Sequence, residues 1–125
     1  HMKPTILVVE DSQVDRLRLL KLLDAAGYSV STAQNGLEAI EQVRHIAPAL
    51  ILMDVNMPQM DGFAATRALR GGEQTKHIPV ILVTAKNQKA DLAWGQMLGA
   101  KGYITKPYAD ELLLEQVREV LRANA

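Results

Sequence analysis

Four groups of residues carry the means for chemistry, and each directly follows an apolar run. Glu10-Asp11 follows residues 5–9, Asp54 follows 49–53, Thr84 follows 79–83, and Lys106-Pro107 follows 102–105. If the runs are neighbouring strands, three carboxylates, a hydroxyl and an ammonium meet at one place. Crowded carboxylates repel one another. The repulsion is relieved either by a bound divalent cation or by raised pKa values. Hard oxygen ligands of this kind suit Mg²⁺, which prefers octahedral geometry and keeps several waters. Lys106 adds a further positive charge. Metal and ammonium would screen the oxygens of a transferring phosphoryl group, and Asp54 could attack as a nucleophile to form an acyl phosphate.

The elements that must position these groups are readable from the apolar pattern. Residues 5–9, 49–53 and 79–83 are short apolar runs bounded by polar or turn residues, the pattern of strands buried on both faces of a parallel sheet. Residues 28–32 and 102–105 are two further β-rich runs. Helical patterns fall between them. The first starts at Ser12, a good N-cap, has apolar residues at Val14, Leu17, Leu19, Leu20, Leu22 and Leu23, and stops at Gly27. The second covers 37–46, with Ile40, Val43 and Ile46 on one face, and is stopped by Pro48. The third covers 63–69 after Pro58 and Asp61-Gly62, and the fourth covers 87–98. The fifth covers 110–121, with Leu112, Leu113, Val117, Val120 and Leu121 inward.

Strand and helix alternate five times, which predicts an α/β fold. It is a (βα)5 doubly wound, five-stranded parallel sheet with helices on both faces. A strand order of 2-1-3-4-5 puts the first and third strands at the centre. Their carboxyl ends are then the expected ligand edge.

The 125 residues predict a single domain over residues 3–125, with His1-Met2 a cloning remnant. Fourteen basic residues balance fourteen acidic ones, which argues against a nucleic-acid or membrane-surface partner. The absence of cysteine excludes disulfide scaffolds and thiolate metal sites. No apolar run has transmembrane length and no signal peptide is visible, so a cytoplasmic location is expected.

Taken together, Glu10-Asp11, Asp54, Thr84 and Lys106-Pro107, with Met57-Pro58 and Asp61-Gly62 after the central acid, resemble the response-regulator receiver domain. This is the CheY-like family of two-component signalling, on a flavodoxin-like fold. The resemblance implies roles. Asp54 would accept a phosphoryl group from a histidine kinase. Asp11, Asp54 and the backbone carbonyl of Asn56 would hold Mg²⁺, with Glu10 acting through a metal-bound water. Lys106 would pair with Asp54 and then with the phosphoryl group. Thr84 and Tyr103 would form the switch, Tyr103 turning inward as Thr84 moves, and Lys106-Pro107 would be a cis bond. Glu10 departs from the aspartate commoner in the family. The output would be a change in the face formed by the fourth helix, fifth strand and fifth helix, read by a protein target. A monomer or weak dimer is expected, and no catalysis beyond the domain's own phosphorylation and dephosphorylation.

The run 86–95, with Trp94-Gly95, followed by 99–103, is similar to stand-alone receivers of type IV pilus, twitching-motility chemosensory systems. Two other functions belong to related chemistry or the same fold. A phosphatase of the haloacid-dehalogenase type needs a second aspartate two residues after the nucleophile, where this chain has Asn56, which cannot exchange a proton near neutral pH. A flavin mononucleotide carrier needs a hydroxyl- and glycine-rich loop after the first strand, where Glu10-Asp11 would repel a phosphate.

Overall fold

In the computed structural model, which describes residues 3–125, five strands alternate with five helices. The cloning remnant expected at residues 1–2 lies outside the described residues. The elements are β1 (Thr5–Val9), α1 (Gln13–Ala25), β2 (Ser29–Ala33), α2 (Gly36–Gln42), β3 (Leu50–Met53), α3 (Gly62–Gly71), β4 (Val80–Thr84), α4 (Lys89–Met97), β5 (Gly102–Thr105) and α5 (Asp110–Ala123). All four strand pairings are parallel, and the order is β2-β1-β3-β4-β5, as the alternation predicts.

The sheet is buried on both faces, which explains why its inner strands are continuous apolar runs rather than alternating ones. One layer gathers Leu7, Val9, Ile51, Met53 and Leu82 with residues of α2 and α3, while the other gathers Ile6, Val8, Leu52, Ile81 and Ile104 with Leu19, Leu23, Leu113 and Val117 of α1 and α5. Successive residues of one strand thus feed opposite layers.

Local signals set the helix ends. Ser12 caps α1 by accepting from the Asp15 N–H, Asn35 caps α2 through the Glu38 N–H, and Asp61 caps α3 through the Ala64 N–H. Gly27, just past α1, has a φ of +96°, a left-handed conformation that glycine adopts without a Cβ penalty. Three sequence expectations are corrected. Helix α2 ends at Gln42 and continues only as turns, so Val43 and Ile46 pack on the core from outside the helix. Leu112 is half exposed, because α5 turns Leu113 and Val117 to the sheet. Val14 likewise points outward, leaving Leu19 and Leu23 as the buried residues of α1.

Candidate functional site

Backbone hydrogen bonds that continue the sheet pairing fix the site residues just beyond the strands. The Glu10 N–H donates to Ala33 O at 3.0 Å, the Asp54 N–H to Val9 O at 3.0 Å, and the Lys106 N–H to Thr84 O at 2.9 Å. Val9 and Met53 are register partners, so Glu10 and Asp54 leave the sheet side by side. The strand order therefore places the central carboxylates together without help from any loop.

Glu10, Asp11 and Asp54 each offer a carboxylate oxygen, all within 4.8 Å of one another. Glu10 and Asp54 are buried while Asp11 is exposed, so the cluster opens to solvent on one side. The Asp54 Oδ1 accepts from the Asn56 N–H at 3.1 Å. Beside this cluster lies an open hollow lined by Asp11, Asn56, Met57, Pro58, Phe63 and Lys86. Only hard oxygen donors are present and no thiolate competes, so the donor set fits a small divalent cation such as Mg²⁺.

Lys106 reaches the cluster from just beyond the end of β5, and the Lys106-Pro107 bond that follows is cis. Its Nζ donates to Glu10 Oε1 at 2.6 Å, to Asp15 Oδ2 at 2.8 Å and to Asp54 Oδ2 at 2.9 Å. Asp15 is a contact that the sequence reading missed. The one signal for it was its place three residues after the Ser12 cap, which reads as an ordinary first-turn acid.

The electrostatics follow from burial and this ammonium. Burial pushes Glu10 up; hydrogen bonds from Lys106 and the Ser12 N–H oppose the rise, Asp54 adds to it, and the carboxyl comes to about 7. Burial also acts upward on Asp54, but hydrogen bonds with Lys106 and Glu10 and the Lys106 charge outweigh it and hold Asp54 below its usual value. Burial pulls Lys106 down, but its hydrogen bonds to Asp15, Glu10 and Asp54 outweigh this and leave it well above the ordinary lysine value. Of the pair, Glu10 is thus the acid that takes up a proton more readily and Asp54 the one that stays ionised.

A raised carboxyl pKa stabilises the fold below the unfolded value and loses that contribution as pH rises through the folded one. In chelator, wild-type stability is thus expected to fall between about pH 4.5 and pH 7 on account of Glu10. Glu10→Gln should remove that fall, roughly 3 kcal/mol across the interval, in urea unfolding followed against pH. An unchanged slope would place the titration elsewhere.

Thr84 is fully buried at the end of β4, and its Oγ1 accepts from the Lys86 N–H at 3.4 Å. Tyr103 is half-buried on β5. Its ring packs on the core, and its hydroxyl donates to Lys86 O at 2.9 Å. Gly95 of α4 makes room for that ring, since a Cβ there would lie 2.9 Å from Leu82 Cδ1 and 3.2 Å from a Tyr103 ring carbon. Trp94, beside it, is half exposed over a second hollow lined by Asp61, Phe63, Ala64, Arg67 and Leu98. His45 is on the surface beside Glu41, and His77 is also exposed.

A parallel 2-1-3-4-5 sheet with an acid cluster at its central strand ends, met by a lysine from the end of the edge strand β5, defines a class, and comparison with known proteins agrees. Residues 6–118 match the response regulator receiver domain, and the chain belongs to that family. It is 41% identical to protein PilH of Pseudomonas aeruginosa, over 93% of this chain and 96% of that protein. It is 34% identical to the polar-differentiation response regulator DivK of Brucella anthropi, over 96% of this chain and 98% of that one. Among solved structures it is similar to the chemotaxis protein CheY4 of Vibrio cholerae, with a TM-score of 0.90 at 34% identity, covering 95% of this chain and 99% of that one. It is also similar to the receiver domain of a histidine kinase from Syntrophus aciditrophicus, with a TM-score of 0.90 at 38% identity, covering 96% and 91%. The family is one of signalling switches rather than turnover enzymes. No helix among the described residues is long and apolar enough to cross a membrane.

Proposed function

We propose that this chain is a phosphorylation-dependent switch whose acceptor is Asp54. The observation that carries the reading is the contact of one carboxylate, held ionised below its usual pKa, with both an ammonium and a cluster of further acids. Transfer forms a bond between an Asp54 Oδ and phosphorus while the bond from phosphorus to the phosphohistidine nitrogen of a histidine kinase breaks. The electron pair leaves with the imidazole. Lys106 meets the charge on the phosphoryl oxygens, and the Asn56 N–H steadies the attacking carboxylate. Asp11, Asp54 and the Asn56 carbonyl, with Glu10 further out, would hold Mg²⁺, which when bound would supply charge neutralisation for the transferring group.

The new group adds charge and acceptor oxygens at the end of β3. Thr84 offers a hydroxyl from the end of β4. Tyr103 links β5 to the loop before α4 through Lys86, so a change at Thr84 has a short route to the face formed by α4, β5 and α5. The output is binding to a protein target in the cytoplasm, with the receiver domain a monomer or weak dimer. The likeness to PilH and the Trp94-Gly95 run favour a place in pilus-based motility.

Incubation with acetyl phosphate and Mg²⁺, followed by intact mass, tests the acceptor. Wild type should gain one phosphoryl group, chelation of Mg²⁺ should prevent the gain, and Asp54→Asn should show at least a hundredfold less. An adduct of wild-type extent on Asp54→Asn would remove Asp54 from this role.

A further inference from the structure

Helix α1 begins with Ser12-Gln13-Val14-Asp15, the spacing at which a cap serine and an acid three residues on exchange backbone hydrogen bonds. Here only half of that exchange is made. The Asp15 N–H donates to Ser12 Oγ at 3.3 Å, but the Ser12 N–H donates to Glu10 Oε2 at 3.0 Å instead of to Asp15. The Asp15 carboxylate is turned to Lys106 Nζ at 2.8 Å. Helix α4 shows the alternative in the same molecule, where the Gln88 N–H donates to Asp91 Oδ2 at 3.2 Å. Glu10 has taken the capping duty at α1 and left Asp15 free to face the amine.

An ammonium has three N–H donors, and all three of Lys106 are used. Two go to Glu10 and Asp54, which also belong to the oxygen cluster that fits a metal. On the acceptor reading above, those two carboxylates would change partners during phosphoryl transfer. Asp15 is outside that cluster and needs no such exchange. Its side chain is 41% exposed against 8% for Asp54, so it approaches the amine from the solvent side.

We infer that Asp15 is a positioning residue. From the first turn of α1 it tethers the Lys106 ammonium over Asp54 while the other two hydrogen bonds are exchanged. The inference rests on the acceptor reading above for its functional half. Its geometric half stands on the contacts alone.

The test uses the whole chain and three forms: wild type, Asp15→Ala and Asp15→Asn. In the absence of metal, acylation of lysines by a water-soluble acetylating ester is followed by peptide mass mapping, with exposed Lys89 as the internal reference. Lys106 should react slowly in wild type and at least threefold faster in Asp15→Ala. With acetyl phosphate and saturating Mg²⁺, the maximal phosphorylation rate of Asp15→Ala should drop about tenfold, a barrier change of about 1.4 kcal/mol. The donor concentration for half-maximal rate should stay within twofold of wild type. Asp15→Asn keeps an oxygen acceptor at the same place and should recover part of both effects.

Unchanged Lys106 acylation in Asp15→Ala would overturn the tether. Faster acylation with an unchanged maximal rate, or a loss seen only in donor half-saturation, would overturn the role in transfer. A wild-type chain that takes up no phosphoryl group would defeat the acceptor reading and, with it, the transfer role. The acylation arm would then decide the tether by itself.

Discussion

Lys106→Met is expected to make stability in chelator fall steeply with rising pH. Lys106 is the cation that touches both buried acids, Glu10 at 2.6 Å and Asp54 at 2.9 Å. Removing one partner of a buried ionic group leaves uncompensated charge, at a cost of about 3–5 kcal/mol. The remaining acids can escape that cost only by holding protons, so their folded pKa values rise further. Stability is then retained at acid pH and lost as pH rises through the new values. Urea unfolding should show little difference from wild type near pH 5 and about 3 kcal/mol or more of loss near pH 8. Saturating Mg²⁺ should restore much of that loss at pH 8, because it supplies positive charge to the same oxygens. Equal destabilisation at both pH values would mean that Lys106 acts through packing of its methylenes rather than through charge.

Gly62→Ala is expected to be the most damaging exchange of one small residue for another. A Cβ at Gly62 would stand 2.1 Å from Asp54 O and 2.8 Å from Val55 Cα. Both obstacles are backbone, so no side chain can swing aside. The Gly62 N–H is also bonded to Val55 O at 3.0 Å, which holds the two segments at this separation. Relief requires the start of α3 to move off the end of β3, carrying the Asp54 carbonyl with it. We expect about 3 kcal/mol of lost stability in denaturant unfolding, at the upper end for overpacking. Phosphorylation by acetyl phosphate should fall at least tenfold, because the acceptor itself is displaced. At Gly71 a Cβ would meet nothing within 4 Å, so Gly71→Ala is the control and should change neither measurement appreciably.

The sheet was readable because its strands are buried on both faces. Apolar runs such as Leu50–Met53 have no helical alternative at their length, and the acids that follow them mark the carboxyl ends. The helices were less readable. An apolar residue such as Val14 or Leu112 fits the 3.6-residue spacing loosely, and which side of the stripe is covered depends on the angle at which the helix meets the sheet. Helix α2 read too long because Val43 and Ile46 are apolar for packing reasons after the helix has ended.

At the site, Glu10, Asp11, Asp54, Thr84 and Lys106 could be named because each sits at the end of a strand. Asp15 could not, because its partner Lys106 is 91 residues away and nothing local marks the pairing. The same holds for the room that Gly95 leaves Tyr103. A glycine inside a helix signals a reason but does not say what approaches it.

Trp94 is the chain's one tryptophan, on α4 and half exposed above Phe63 and Arg67. Its emission therefore has a single origin, on the helix next to the Tyr103 hydroxyl anchor. A drift in wavelength or quenching on phosphorylation would report movement of that helix against α3 without a label. The molecule thus carries its own optical gauge of signal propagation.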